Sequence, residues 1–410
     1  MRVVLVSYGS RGDLEPMTGL AVQLQALGVE VRVCAPPDFA DMLDSIGLAS
    51  TPLGWPIRAL AKDSASGKAP KTLPGIAAEL TAMAYETVVS AAEDAQAIMA
   101  TGSLPAVAGA RAAAEKLGIP YLFATTSPCY LPSPHQPPVG WPGQPPPDAD
   151  NMTLWDNNAK HLDTLFAETI NAHRASIGLP PNERIRDLNQ TRHPFLAADP
   201  ILGPWPQPAD LQVVQTAAWI REDDRPLPAD LDEFLNAGAP PVYVGFGSMP
   251  LREPAEINKA VVEAVRARGR RVLLNSGWAD LTLIDDQADC FVVGEVNQQA
   301  LFPRVAAIVH HGGAGTTTTA TRAGTPQVIV PQVADQPYWA ARITALGIGV
   351  GHDGPTPTAE SLSAALEIAL TPETTSRATA VGETIRTDGA EQSAKLLIEM
   401  IGPNGSVRTS

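Results

Sequence analysis

At roughly 150 residues per domain, the 410 residues of this chain allow two to three domains and at least one large core. The composition, 44% hydrophobic and 18% charged, is that of a globular chain, and no apolar run approaches the roughly 20 residues that span a bilayer. A net charge of −15 without a block of consecutive Lys or Arg disfavours nucleic acid, and three cysteines, Cys34, Cys129 and Cys290, are too few and too scattered for a disulfide framework or a metal knuckle. These features predict reduced thiols, a cytoplasmic location and no stable membrane insertion.

In chain order, the apolar run Val3 to Val6 reads as a strand rather than a secretory leader, because a single Arg precedes it and GSRGD interrupts it. Pro16 then opens a helical segment with Leu20, Leu24 and Leu27 on one face, ending at Gly28. Val29 to Ala35, Ala106 to Gly109 and Tyr121 to Thr125 read as further strands with helical patterns between them, the alternation expected of a mostly parallel sheet covered on both faces. The segment from Pro132 to Pro147 holds eight prolines and can be neither a helix nor a central strand. It is either a solvated loop or a rigid wall of an acceptor pocket, with Tyr130, His135 and Trp141 supplying the recognition chemistry. A long helical pattern follows from Leu154 to Ile177.

Pro200, Pro204, Pro206 and Pro208 mark a connector. Beyond it the alternation restarts: strands at Val242 to Phe246, Arg271 to Asn275, Cys290 to Val293, Ala307 to His310 and Val328 to Val330, with a helix at Pro254 to Arg268. The expected division is a first domain over 1–203, a linker over 204–219, a second domain over 220–378 and a helical tail over 379–401. The result is an α/β protein with two Rossmann-like, doubly wound domains.

Each half places a glycine-rich turn between a strand and a helix, where backbone N–H groups and the helix dipole favour phosphate. The first turn, GSRGD, lacks G-x-G-x-x-G, and no acidic residue ends the second strand, so a dinucleotide redox enzyme is disfavoured. The second turn, HHGGAGTTTT, is more specific. His311 offers a donor, the amides around Gly313, Gly315 and Thr316 can cradle a diphosphate, and the Thr316 hydroxyl adds a neutral donor. His310 either joins this site or closes the strand end. Asp335 and Gln336, after the strand QVIVP, can grip two neighbouring hydroxyls, and Trp278 is either a core anchor or a wall of the nucleotide pocket.

The stretch HHGGAGTTTTATRAGTPQVIVPQVADQPYWAARI resembles the donor-binding signature of family 1 inverting glycosyltransferases, which have the two-Rossmann-domain GT-B fold with a cleft between the domains. GSRGDLEP, ASIGLPP, PVYVGFGSM and GWADL are similar to enzymes that glycosylate glycopeptide antibiotic aglycones of the vancomycin and teicoplanin kind. The resemblance implies Asp13 as general base, with Ser10, Arg11 and Ser248 on the leaving phosphates. Val296 would lie beside the nucleotide base through its backbone. His311, Gly313, Gly315 and Thr316 would hold the diphosphate, with Asp335 and Gln336 on the sugar. Glu295 stands where many plant relatives place a base-stacking tryptophan, so uracil and thymine both stay open, as UDP- or dTDP-sugar. The tail would cross back to the first domain and form a hinge with the connector.

Asp13 is the only carboxylate of the first glycine loop and can meet an acceptor hydroxyl, although the same position suits a carboxylate capping a helix N-terminus. With Arg11, His311 and two helix N-termini available, a metal is unnecessary, and Asp148-Ala149-Asp150 and Asp230-Leu231-Asp232 read as solvated or capping groups. The expectation is a monomeric, metal-independent hexosyltransferase without a cofactor. Its small-molecule partners would be a nucleotide sugar and a peptide-antibiotic aglycone; a macrolide or sterol acceptor, or an epimerase on the same fold, is the alternative.

Overall fold

The computed structural model describes residues 1–60, 72–140, 148–189, 191–249, 254–278, 281–285 and 287–402. The chain forms two units, one of Met1–Pro200, Pro204–Arg221 and Arg386–Ser410, the other of Ile201–Gly203 and Glu222–Ile385. Among the described residues no helix is long and apolar enough to cross a membrane.

The first unit is built on a seven-stranded sheet of order β3-β2-β1-β4-β5-β6-β7, parallel throughout. Its strands are β1 (Arg2–Tyr8), β2 (Glu30–Ala35), β3 (Ala49–Pro52), β4 (Ala97–Gly102), β5 (Tyr121–Thr125), β6 (Phe195–Leu196) and β7 (Val214–Gln215). Val3 and Leu5 of β1 pack under Leu14, Leu20 and Leu24 of the helix Arg11–Ala26, and Ala394, Leu397 and Ile401 of the helix Gly389–Ile401 join the same core. Each of these leucines is fully withdrawn from water, a gain of about 1.5–3 kcal/mol per side chain.

Three expectations are corrected in this unit. The first helix begins at Arg11 and contains Pro16 in its second turn, where the fixed φ suits a helix and the missing N–H forfeits the bond to the Gly12 carbonyl. Ala106 to Gly109 is not a strand but part of the helix Leu104–Leu117, and the strand is Ala97–Gly102. The run of small residues serves helix packing: a Cβ on Gly109 would meet the Thr81 carbonyl at 2.4 Å and the Ala84 Cβ at 2.8 Å, so the helix Leu73–Ala91 can approach only a residue without a side chain. The stretch 204–219, expected as a linker, belongs to the unit itself, because Val214–Gln215 extends the sheet and the buried Trp219 ring lies edge-on to Phe195 at 6.0 Å.

The second unit has a six-stranded parallel sheet of order β10-β9-β8-β11-β12-β13. Its strands are β8 (Val242–Gly245), β9 (Val272–Asn275), β10 (Cys290–Val293), β11 (Ala307–His310), β12 (Gln327–Ile329) and β13 (Gly349–Gly351). The period-two alternation sorts its core: Val242, Val244, Val272, Leu274 and Val309 face the helices Pro254–Ala267 and Ala359–Ala369, whereas Tyr243, Leu273 and Ile308 face Leu231, Leu301 and Phe302. The helix Pro372–Gly382 stays with this unit, and the chain returns to the first at Arg386 rather than at 379. Close approach holds it there, since a Cβ on Gly382 would meet the Thr321 carbonyl at 2.6 Å.

Candidate active site

In a doubly wound sheet, ligands bind beyond the carboxyl ends of the strands where the strand order reverses. In the second unit that point lies between β8 and β11. The loop after β11 is Gly312-Gly313, and both glycines are required. Gly312 has φ 93° and a Cβ there would strike Ile329 Cγ2 at 2.6 Å, while one on Gly313 would strike His311 Nε2 at 2.7 Å. Gly313 is the N-cap of the helix Ala314–Arg322 and offers no side-chain cap. The amides of Ala314, Gly315 and Thr316 therefore have no intrahelical partner, and they carry the positive end of the helix dipole. A Cβ at Gly315 would meet nothing within 4 Å.

The threonine run is less of a donor set than its sequence suggests. Thr317, Thr318, Thr319 and Thr321 turn their hydroxyls back to carbonyls four residues earlier, at 2.8–2.9 Å, and Thr316 makes no such bond. His311 is half-buried, and its Nδ1 is withdrawn from solvent without a hydrogen-bond partner. Burial pushes its imidazole down to about 4, so near neutral pH it is a neutral ring with one N–H to give. Beside it runs the loop after β8, where Gly247 (φ 58°) lies so close that a Cβ would meet His311 Cε1 at 3.0 Å, and this brings the partly exposed Ser248 to the same end of the sheet. The Trp278 N–H donates to the Gly247 carbonyl at 3.0 Å, tying the β9 loop to the same place, with the Trp278 residue partly exposed.

Gln336 reaches this site differently from expectation. Its Oε1 accepts from the amides of Gln332 (2.7 Å) and Val333 (3.0 Å), so its carbonyl shapes its own loop, and only its amide NH2, 3.8 Å from Met249 Sδ, lacks a strong acceptor. Asp335 accepts from Trp339 Nε1 at 2.7 Å. Val296 is buried in the core with Leu301 and Phe302, leaving its backbone as the part that could meet a base. Next to it Glu295 pairs with Arg225 at 3.2 Å, and Asn297 Nδ2 donates to the carbonyls of Asp223 and Arg225 at 2.6 and 2.8 Å. Sequence reasoning missed Asn297, as it missed Gln327, a fully buried glutamine at the head of an apolar strand. A lone amide in such a run was the available signal.

In the first unit the reversal lies between β1 and β4, and GSRGD follows β1. Ser10 is the N-cap of the helix Arg11–Ala26 and forms a capping box with Asp13. The Ser10 N–H donates to Asp13 Oδ2 at 2.8 Å, and the Gly12 N–H donates to Ser10 Oγ at 3.2 Å. A Cβ on Gly9 would overlap Asp13 Oδ2 at 2.2 Å, so the carboxylate occupies the space that glycine leaves. Arg11 donates to Glu15 at 2.8 and 2.9 Å. Asp13 also borders a shallow surface depression with Pro16, Met17, Thr101, Thr125, Thr126 and Trp219.

The proline-rich loop is tied down where described: Trp155 Nε1 donates to the Gln136 carbonyl at 2.9 Å, and the exposed His135 places Nε2 2.9 Å from the Pro208 carbonyl. Tyr130 is partly exposed, and Trp141 lies outside the described residues. Asp150 and Asp232 of the D-x-D strings have other partners. Asp150 caps the helix Asn151–Ser176 by accepting from the Thr153 amide at 2.9 Å, and Asp232 pairs with Arg304.

Comparison with known proteins bears on both units. Residues 3–134 match the model of the glycosyltransferase family 28 N-terminal domain, and residues 281–394 match that of the erythromycin biosynthesis protein CIII-like C-terminal domain. Over 98% of this chain and of each relative, it is 53% identical to glycosyltransferase GtfE, 50% to vancomycin aglycone glucosyltransferase and 47% to dTDP-epi-vancosaminyltransferase, all of Amycolatopsis orientalis. The solved structure of the glycotransferase of kitacinnamycin shares the fold, with a TM-score of 0.73 at 20% identity over 97% of this chain and 98% of that one.

Proposed function

The chain belongs to the family 1 glycosyltransferases of the vancomycin type, with the GT-B fold, and from that premise we propose that it moves a hexose from a nucleotide diphosphate to a hydroxyl of a peptide-antibiotic aglycone with inversion. The observation that carries the reading is the uncapped N-terminus of the helix Ala314–Arg322 beside the unpartnered His311 Nδ1. Three amides, a neutral imidazole and the Thr316 and Ser248 hydroxyls suit a diphosphate and stabilise it as it departs. Arg11 and Ser10 would add to it only by exchanging their present partners.

Asp13 is the general base in this reading. It sits in the first turn of its helix, where the positive end of the dipole favours a carboxylate, and it borders a shallow depression beside Pro16, Met17 and Trp219. An aspartate near 3.9 is a weak base for a phenol near 10, so the proton moves late, once C–O bond formation has acidified the oxygen. The electron pair of the acceptor oxygen forms the new bond, the bond to the diphosphate breaks, and attack from the opposite face inverts the anomeric centre.

For the donor, Asp335 and the Gln336 NH2 are the groups assigned to the sugar in this reading, and a fully hydroxylated sugar such as glucose or N-acetylglucosamine offers them neighbouring hydroxyls that a deoxy sugar lacks. Similarity to dTDP-epi-vancosaminyltransferase supports the other reading, a dTDP-linked aminodeoxysugar whose ammonium pairs with Asp335. Intact-mass gain on glycopeptide, macrolide and sterol acceptors tests the acceptor class, and no gain on any glycopeptide aglycone would refute it. Comparison of kcat/KM for UDP-glucose, UDP-N-acetylglucosamine and a dTDP-aminodeoxysugar tests the donor. A preference above about tenfold for the aminodeoxysugar, or about 1.4 kcal/mol, overturns the hydroxyl pairing.

A further inference from the structure

His310 is fully buried, yet both of its ring nitrogens are engaged. The Gly312 N–H points at Nδ1 from 3.2 Å, which makes Nδ1 an acceptor without a proton. On the other side Nε2 lies 3.0 Å from Gln327 Oε1. The orientation of that amide is fixed from its far end. The Thr321 hydroxyl commits its single hydrogen to the Thr317 carbonyl at 2.8 Å, so it accepts from Gln327 Nε2 at 2.9 Å and leaves Oε1 facing the ring. Both ends of the chain of hydrogen bonds therefore demand the same species, a neutral imidazole protonated on Nε2.

We propose that His310 is a positioning residue for the diphosphate cradle: it clamps the Gly312 amide, holds that residue in its left-handed conformation, and thereby sets the direction of the amides that open the helix Ala314–Arg322. The inference rests on the reading of this loop as the diphosphate site and goes beyond it, because His310 meets no ligand. Its bonds join three elements whose relative placement defines the loop: the end of β11, the start of β12 through Gln327, and the interior of the helix through Thr321 and Thr317. Among the described residues, the other titratable group acting on this ring is His311, with ring centroids 6.3 Å apart, and it is neutral as well.

Histidine-selective ¹⁵N NMR of the full chain is expected to show one ring with Nε2 protonated and Nδ1 bare, unchanged from pH 8 to pH 5. A ring at His310 that is cationic at pH 7, or protonated on Nδ1, overturns the proposal. His310→Asn keeps an acceptor near the position of Nδ1, whereas His310→Leu does not. Calorimetric titration with UDP and with dTDP should find the Leu variant at least tenfold weaker than the Asn variant, and equal affinities for the two would overturn the proposal. Should the Leu variant not fold, Gln327→Met leaves Nε2–H without its acceptor and is expected to weaken binding at least threefold, with unchanged affinity counting against the clamp. Failure of the wild-type chain to bind either nucleoside diphosphate would refute the diphosphate reading itself, a result distinct from these.

Discussion

The two glycine loops occupy equivalent places, each after the strand at which its sheet reverses order, yet they end in opposite electrostatic states. The helix after GSRGD is capped from within, with Ser10 and Asp13 satisfying its first amides and a negative carboxylate on its positive end. The helix after HHGGAG begins at a glycine with no side-chain cap, and a buried imidazole nitrogen beside it has no partner. One loop holds an anion of its own; the other leaves the positive end of its helix uncapped. The difference lies in what the N-cap residue carries, a hydroxyl in one case and a hydrogen in the other, and in the proposed reaction it separates the loop of the base from the loop of the phosphate.

The sharpest way to break this comparison is at Asp13. Asp13→Asn, which retains a capping acceptor, is expected to lower the single-turnover rate by about 10²-fold or more while leaving nucleoside diphosphate affinity nearly intact. Asp13→Ala should do the same and in addition lose about 1 kcal/mol of stability with the cap. If the loss fell on affinity instead, both loops would be phosphate sites and the contrast would fail. His311→Ala probes the other loop: removing one donor to a charged oxygen should weaken nucleoside diphosphate binding by about tenfold or more and reduce turnover with it. Calorimetry that finds no change removes His311 from the site.

A smaller effect distinguishes the loops by pH. Burial holds His310 near 3 and His311 near 4 in the folded chain, against about 6.5 unfolded, so between those values the unfolded state binds more protons. Stability of the second unit should then be greatest above pH 6.5 and fall as the pH is lowered toward 4, by up to about 1.4 kcal/mol per pH unit for each histidine. Denaturant melts at several pH values would show a shallower dependence in His310→Asn, and an unaltered slope would mean that His310 is not buried neutral. The smallest expected effect is none: activity should survive EDTA, because amides and His311 are the groups proposed to stabilise the diphosphate. An absolute need for added Mg²⁺ or Mn²⁺ would contradict that.

Much of the fold was legible because strand and helix alternate with clean periods. Val242 to Phe246, Arg271 to Asn275 and Ala307 to His310 were readable as runs of buried β-branched and aliphatic residues. The misreading at Ala106 to Gly109 arose because a run of small residues satisfies a strand and a tightly packed helix equally, and only the neighbouring Leu73–Ala91 helix decides between them. The N-cap serine and following proline, Ser103 and Pro105, were the local sign of a helix start. At the site, HHGGAG was legible as a glycine turn that opens a helix, because glycines between a strand and a helix leave the first amides without a side-chain cap. The roles of Gln327 and Gln336 were not, since a glutamine side chain is long and either amide end can serve as donor or acceptor until its neighbours are in place.

By itself the sequence determined the α/β class, two sheets, the glycine turns at their strand ends and the family to which the chain belongs, all properties carried by local patterns. The tertiary structure decided which of the polar groups in those turns are occupied. Asp13 is tied to the Ser10 amide, Gln336 turns its carbonyl on its own loop, four of the five threonines in 316–321 bond back to their helix, and His310 is locked between Gly312 and Gln327. Such assignments are non-local because a hydrogen bond depends on where a partner from another element arrives and which way it faces, and no spacing along one strand or helix records that.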